Sequence, residues 1–143
     1  MNAVPVAILL IEDDPGHARL IEKNVRRAGV ANEITHRADG TTALEYLFER
    51  GEIAKADPLL VLLDLNLPDM SGTDILSRIK ADPVLRRTPV IVLTTTDDKV
   101  EIQRCYDLGC NVYITKPVEY EGFASAIRQL GLFLTVMQVP AAV

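Results

Sequence analysis

Several short apolar runs in this sequence end in polar or charged residues that could share one site. These residues are carboxylates, a hydroxyl and a lysine. Glu12 and Asp13 follow the first run and Asp64 follows a later one, while Thr94 and Lys116 close two more. Carboxylates within a few ångströms of one another repel, so either their pKa values rise or a cation joins them. Mg²⁺, a divalent ion that prefers oxygen ligands, is the natural partner of such a group.

These residue types suit the transfer of a phosphoryl group onto a carboxylate. Asp64 can act as the nucleophile without a base, because a carboxylate is already ionised at neutral pH. Lys116 and the metal ion would neutralise the charge on the phosphoryl oxygens, which is most of what the transition state requires. The hydroxyl of Thr94 could donate a hydrogen bond to a phosphoryl oxygen after transfer.

Each of these residues also has a simpler interpretation when it is taken alone. Glu12 and Asp13 could be turn acids favoured by the positive end of the next helix, and Asp64 could cap a turn. Thr94 could be a capping hydroxyl and Lys116 a surface lysine. Their shared position, directly after predicted strands, favours a common site over these separate roles.

The elements that must position these residues alternate strictly between strand and helix. Helix-period patterns follow each of five predicted strands. The strands are predicted at residues 6–11, 33–37, 59–63, 90–93 and 112–115. This order predicts a doubly wound α/β fold with helices on both faces of a five-stranded parallel sheet. In the flavodoxin-like (βα)5 strand order 2-1-3-4-5, strands 1, 3, 4 and 5 are neighbours, so their carboxyl ends would bring the candidate residues to one edge.

Several helix ends are indicated by residues that favour capping. Gly51 is predicted to end the second helix, and Asp97 or Asp98 to cap the start of the fourth. The fourth helix is predicted to carry Tyr106 on its apolar face and to end at Gly109.

Length and composition indicate a single domain over residues 1–143, with its core at about 5–134. Of the 143 residues, 48% are hydrophobic and 24% are charged, as in globular proteins. The net charge of −5 gives no electrostatic support to nucleic-acid binding. No apolar run is long enough for a membrane span and no signal peptide is visible, so we expect a cytoplasmic protein without membrane contact. The two cysteines and the isolated His17 and His36 form no zinc-like set.

Four stretches of the chain, in order and at matching spacing, resemble the response-regulator receiver family of two-component signalling. The stretches are ILLIEDDP (8–15), LDLNLPDMSG (63–72), PVIVLT (89–94) and YITKP (113–117). The resemblance covers about residues 5–134. It implies a regulator that accepts a phosphoryl group from a histidine kinase and that does not turn over a separate substrate. Because about ten residues follow the last predicted helix, we expect a single-domain regulator.

The resemblance assigns a metal-site role to four residues. Asp64 matches the phosphoacceptor, which is also a metal ligand, and Asp13 matches the acid that binds Mg²⁺ directly. Glu12 stands where the family more commonly has Asp, and would act through water. Asn66 matches the position whose backbone carbonyl completes the metal site.

Three further residues match the parts of the family that respond to phosphorylation. Thr94 and Lys116 match the switch hydroxyl and the phosphate-binding lysine, and the bond between Lys116 and Pro117 is often cis in the family. Tyr113 matches the aromatic residue whose ring turns inward as Thr94 moves toward the phosphate. Phosphorylation would then select the active conformation of the surface formed by the fourth helix, the fifth strand and the fifth helix.

The sequence also indicates partners. The apolar residues 132–143 predict an interface, and we expect a homodimer through the face of the fourth and fifth helices. Residues 48–52, residues 94–97 and this apolar tail look like those of the small regulators paired with bacterial phytochromes, so a phytochrome-type kinase is the predicted partner.

Three alternatives stand beside this interpretation. A phosphatase of the haloacid dehalogenase type would need an acid two residues beyond its nucleophile, where this chain has Asn66. A flavodoxin-like cofactor carrier would need a phosphate cradle after the first strand, where this chain has acids. A degenerate receiver that acts as an interaction module without phosphate would typically lack an acid or the lysine, and neither is missing.

Overall fold

A five-stranded parallel sheet is the central layer of the computed structural model, which describes residues 5–55, 57–117 and 119–129. The strands are β1 (Ala7–Ile11), β2 (Ile34–Arg37), β3 (Leu59–Leu63), β4 (Val90–Thr94) and β5 (Val112–Thr115). They lie in the order β2-β1-β3-β4-β5, and every neighbouring pair is parallel. The structure therefore confirms the predicted doubly wound fold and its strand order.

Helices connect the strands and cover both faces of the sheet. They are α1 (Pro15–Arg27), α2 (Gly40–Phe48), α3 (Gly72–Ala81), α4 (Lys99–Leu108) and α5 (Tyr120–Gln129). Two short elements, a helical turn at Glu52–Lys55 and a 3-10 turn at Leu85–Arg87, complete the described secondary structure.

The core consists of two apolar layers, one on each side of the sheet. Successive residues of a strand point to opposite faces. Ile8 and Leu10 of β1 pack with the buried residues of α1 and α5, whereas Leu9 and Ile11 pack with those of α2, α3 and α4. All residues of β3 and β4 are buried, which explains why these strands are continuously apolar instead of alternating.

The strand register brings the candidate residues to one edge of the sheet. β1 and β3 end in register, because their last residues lie opposite each other. The residues that follow, Glu12 and Asp64, therefore leave the sheet side by side. β4 and β5 end at the same edge, where Thr94 pairs with Thr115 and Lys116 comes next.

The end of α2 differs from its prediction. The helix ends at Phe48, and Gly51, with a φ of 91°, precedes the unpredicted helical turn Glu52–Lys55. The Nζ of Lys55 lies 2.8 Å from a carboxylate oxygen of Asp82 at the end of α3. This ion pair joins residues 27 positions apart, so local spacing does not reveal it.

The prediction for the apolar face of α4 was wrong for one residue, Tyr106. Asp98, not Asp97, caps the helix by accepting a backbone N–H at 2.9 Å. Cys105 is the one buried residue of α4, whereas Tyr106 is 44% exposed. The Tyr106 hydroxyl accepts the backbone N–H of Tyr113, a residue of the edge strand, at 3.2 Å. The ring therefore lies along the rim of the sheet, outside the core.

Candidate functional site

Three acids meet at the carboxyl edge of the sheet, as the predicted strand order requires. Glu12 and Asp13 follow β1, and Asp64 follows the neighbouring β3. One carboxylate oxygen of each lies within 4.8 Å of the others. Glu12 and Asp64 are buried, whereas Asp13 is exposed to solvent. This half-open cluster of oxygen atoms has the donor chemistry of a Mg²⁺ site.

Lys116 is the cation nearest to the buried acids. Its Nζ lies 3.2 Å from Oδ2 of Asp64 and also donates a hydrogen bond to Oε1 of Glu12. The Lys116 side chain is 8% exposed, so these interactions are weakly screened by water. The lysine therefore neutralises part of the charge that the acids accumulate. The bond between Lys116 and Pro117 is cis, as the family resemblance implies.

The pKa of Glu12 is raised to about 7, chiefly by burial and also by the nearby Asp64. The hydrogen bonds from Lys116 and from the backbone N–H of Asp14 act in the opposite direction. A divalent cation would favour the ionised form of the same carboxyl group. The protonation of Glu12 should therefore be coupled to occupation of the site by a cation.

The backbone after Asp64 folds tightly against the site. The Asn66 N–H donates to Oδ1 of Asp64 at 3.2 Å, and the Gly72 N–H donates to the Leu65 carbonyl at 2.9 Å. A Cβ atom on residue 72 would lie 2.5 Å from the Asp64 carbonyl oxygen. Glycine is therefore required at this close approach, and it holds the loop that contains Asn66 against Asp64.

Thr94 is the last residue of β4, and Tyr113 lies in the neighbouring strand β5. Thr94 is fully buried, and its Oγ1 has no hydrogen-bond partner among the described residues. Such an unpaired buried hydroxyl is costly and suggests a partner that arrives later. Tyr113 is half-buried, and its hydroxyl donates to the Thr96 carbonyl at 2.8 Å. Burial raises the pKa of Tyr113 to about 12, so the hydroxyl remains a donor at neutral pH.

Both histidines border the site, although they are isolated in the sequence. His36 lies on β2, and its Nε2 is 2.7 Å from the Glu12 carbonyl oxygen. His17 lies in the first turn of α1, with Nδ1 3.4 Å from Nζ of Lys116. Sequence reasoning missed both residues. The pairing of β2 with β1, and the start of α1 just after Asp13, are the signals that could have placed them.

Fold and site together identify the class of protein. Residues 8–128 match the family model described as response regulator receiver domain. The chain belongs to this family of two-component signalling proteins, whose receiver domains are partners of histidine kinases and are generally not enzymes that turn over a substrate. The phosphatase and cofactor-carrier alternatives are thereby removed, whereas a degenerate receiver belongs to the same family and stays open.

Three relatives define where in the family the chain lies. It is 34% identical over 140 residues to the response regulator Rcp1 of Synechocystis sp., a match that covers 96% of this chain and 95% of Rcp1. A receiver domain from Rhodospirillum rubrum is 66% identical, with a TM-score of 0.74 over 94% of this chain and 97% of that chain. The phosphorylated cyanobacterial phytochrome response regulator RcpA is 36% identical, with a TM-score of 0.74 over 96% and 99% of the two chains. The chain thus resembles phytochrome-associated response regulators.

In the described part of the chain, no helix is both long enough and apolar enough to cross a bilayer.

The raised pKa of Glu12 predicts how stability changes with pH when no metal is bound. The folded protein holds a proton on Glu12 up to about pH 7, whereas an ordinary glutamate releases it near 4.5. Between these values the native state binds more protons than the unfolded state, so stability should fall as pH rises. We expect Glu12→Gln to remove a decline of about 1–3 kcal/mol, measured by urea unfolding in chelator at pH 5 and pH 7.5.

The exposed Glu33 provides the control for this measurement. Glu33→Gln should keep the full decline, because its side chain lies in water outside the acidic cluster. Equal declines in the wild type, Glu12→Gln and Glu33→Gln would contradict the assignment to Glu12.

Proposed function

We propose that this chain is a phosphorylation-dependent single-domain response regulator. It accepts a phosphoryl group on Asp64, with Mg²⁺, from a histidine kinase. The observation that carries this proposal is the convergence of Lys116 and three carboxylates on one sheet edge, where the described residues also leave the buried hydroxyl of Thr94 without a partner. A cluster of ion pairs that only stabilises the fold would account for the charged residues, but it would not explain the buried hydroxyl.

The transfer step needs only an ionised carboxylate and a way to stabilise charge. An oxygen of Asp64 attacks the phosphorus of a phosphohistidine, forming a P–O bond while the P–N bond to the donor imidazole breaks. Lys116, 3.2 Å from that carboxylate, stabilises the charge on the phosphoryl oxygens. The Thr94 hydroxyl then donates to one of these oxygens. Slow hydrolysis of the acyl phosphate would reset the protein.

The acidic cluster fits the metal ion that this chemistry requires. Asp13 and Asp64 would bind Mg²⁺ directly, the Asn66 carbonyl would complete the site, and Glu12 would act through water. The bound ion would neutralise charge on the phosphoryl oxygens. Two relatives support this assignment, since Rcp1 has been solved in a Mn²⁺-bound form and RcpA in a phosphorylated form.

The switch would connect the site to the surface of α4, β5 and α5. As Thr94 turns toward the phosphoryl group, it would vacate space for the Tyr113 ring. The Tyr113 hydroxyl would then leave the Thr96 carbonyl, to which it donates at 2.8 Å. Because α4 has one buried residue, Cys105, and one partly buried apolar contact, Leu108, it has few apolar contacts that would resist repacking. Phosphorylation would therefore change this surface by population shift.

Phosphorylation by a small donor tests the proposal. Incubation with Mg²⁺ and acetyl phosphate should add one phosphoryl group in intact-mass spectra, because Asp64 is a pre-formed nucleophile. The addition should be lost in Asp64→Ala and in chelator, and it should persist in Asp74→Ala, which changes an exposed acid of α3. An unmodified wild type would favour the degenerate receiver that acts without phosphate.

The kinase would dock on an apolar hollow next to the phosphoacceptor. This hollow of about 230 Å³ is lined by His17, Leu20, Ile21, Thr95, Lys116 and Pro117. Leu20 projects from α1 and is 45% exposed, as suits a residue that packs against a helix of the donor. A bacterial phytochrome kinase is the proposed partner, given the likeness to RcpA.

Replacing Leu20 should slow phosphotransfer from the kinase without changing phosphorylation by acetyl phosphate. We expect Leu20→Asp to slow phosphotransfer from a phosphorylated phytochrome kinase by about tenfold, because a charge would be buried in the interface. Acetyl phosphate labelling should not change. Val84→Asp is the matched control, since Val84 is 37% exposed and lies outside the hollow. Equal kinase rates for both variants would place the docking surface elsewhere.

We also propose a homodimer through the face of α4 and α5. Val100 of α4 is 77% exposed and Tyr106 of the same helix is 44% exposed, so α4 offers apolar surface. Residues 132–143, the predicted contribution of the tail to the interface, lie outside the described residues.

Light scattering after size exclusion tests the dimer. Val100→Asp should shift the wild-type dimer toward monomer, because a charge replaces an apolar contact, whereas Val84→Asp should leave the mass unchanged. A wild type that is monomeric with and without acetyl phosphate would remove the dimer proposal.

A further inference from the structure

The first turn of α2 is capped by two carboxylates that come from different parts of the chain. Asp39, the residue before the helix, accepts the Thr42 N–H at 2.7 Å. Asp69 accepts the N–H groups of Gly40 and Thr41, each at 2.8 Å, and the Thr41 hydroxyl at 2.6 Å. The first N–H groups of a helix have no partner within the helix. Asp69 therefore supplies, from 28 and 29 positions away, two of the capping bonds that α2 needs.

The loop that carries Asp69 is fixed at its base. This loop, residues 66–71, connects the phosphoacceptor position to α3. Asn66 and Ser71 form an isolated antiparallel bridge, and the Gly72 N–H donates to the Leu65 carbonyl at 2.9 Å. The two ends of the loop are thus held together directly beneath the acidic cluster.

The tip of the same loop is fixed to α2. Asp69 makes its three hydrogen bonds there, and the side chain of Met70 packs over Gly40 so closely that a Cβ atom on residue 40 would overlap it. The hydrogen bonds from Thr41 and Gly40 lower the pKa of Asp69 to about 2. The carboxylate is therefore ionised, and accepts strong hydrogen bonds, at neutral and mildly acidic pH.

Asn66, at the base of this loop, is the residue that connects the loop to the metal site. Its N–H donates to Oδ1 of Asp64 at 3.2 Å, and the proposed function assigns its carbonyl to Mg²⁺. A peptide unit is planar, so the orientation of the loop backbone sets the direction of this carbonyl. A loop freed at its tip would let the carbonyl and the Asp64 carboxylate move apart.

We infer that Asp69 is a positioning residue for the metal site, because it ties the Asn66 loop to the N-terminus of α2. The inference rests on the proposed function for the metal. Asp69 does not contact the ion in this role. It acts through the loop backbone, as outer partners of metal ligands do in other sites. The same contact would make α2 sensitive to occupation of the metal site.

Mg²⁺ binding to the full chain tests the inference by isothermal titration calorimetry. We expect Asp69→Ala to weaken Mg²⁺ affinity by about tenfold, the lower end of the range for outer-shell substitutions. Asp69→Asn keeps one acceptor oxygen and should lie between Asp69→Ala and the wild type. Asp39→Ala is the matched control, because it removes a cap from the same helix without touching the loop. The Mg²⁺ affinity of Asp39→Ala should stay within about twofold of the wild type, even if its melting temperature falls as far as that of Asp69→Ala.

Hydrogen exchange in chelator provides a readout that needs no metal. The amides of Asn66 and Gly72 should exchange faster in Asp69→Ala and Asp69→Asn, and at wild-type rates in Asp39→Ala. Wild-type Mg²⁺ affinity in both Asp69 variants would overturn the inference, as would a loss of affinity in Asp39→Ala that matches theirs. If the wild type binds no Mg²⁺, the proposed metal site is wrong. If the amides of Asn66 and Gly72 also exchange at wild-type rates in the Asp69 variants, the tie between loop and helix is wrong as well.

Discussion

The interaction on which the rest of the structure depends is the ion-pair cluster that Lys116 forms with Glu12 and Asp64. Two buried carboxylates beside a third acid would repel one another and would be costly to desolvate. Lys116 lies 52 residues from Asp64 and 104 from Glu12 along the chain. Only the parallel sheet, whose strands all end at one edge, brings these charges together. The sheet therefore holds together a cluster of charged side chains, which suits the proposed binding of a cation and a phosphoryl group.

The parts of the molecule on the two sides of this cluster differ in rigidity. The strands that present it are buried in two apolar layers, so the acids are held by close-packed structure. The loop after Asp64 is tied at its base by Gly72 and at its tip by Asp69. On the other side, α4 packs on the sheet with one buried residue, Cys105, and with the partly buried Leu108. A change at the site is thus more easily accommodated on the α4 side, where the exposed apolar surface lies.

Much of the fold and of the candidate site could be predicted because both depend on regular rules. Strict alternation of strands and helices leaves few topologies, and right-handed crossovers leave fewer. The acids, Thr94 and Lys116 could be placed at one edge because each directly follows a strand. The turn at Glu52–Lys55 and the exposed position of Tyr106 could not be predicted in this way. The turn is joined by Lys55 to Asp82, 27 positions away. Tyr106 bonds the backbone of Tyr113, and its position depends on how α4 packs beside β5.

The sequence by itself determined the class of protein, the strand order and the residues that gather at the carboxyl edge, since side-chain periodicity and strand ends are local properties. The tertiary structure alone decided which of these groups touch and how strongly. It placed Lys116 between two buried carboxylates, left the Thr94 hydroxyl without a partner among the described residues, and brought Asp69 to the start of α2. The reason is physical: hydrogen bonds and pKa values depend on distances of a few ångströms and on burial, and both are set by the packing of the whole sheet.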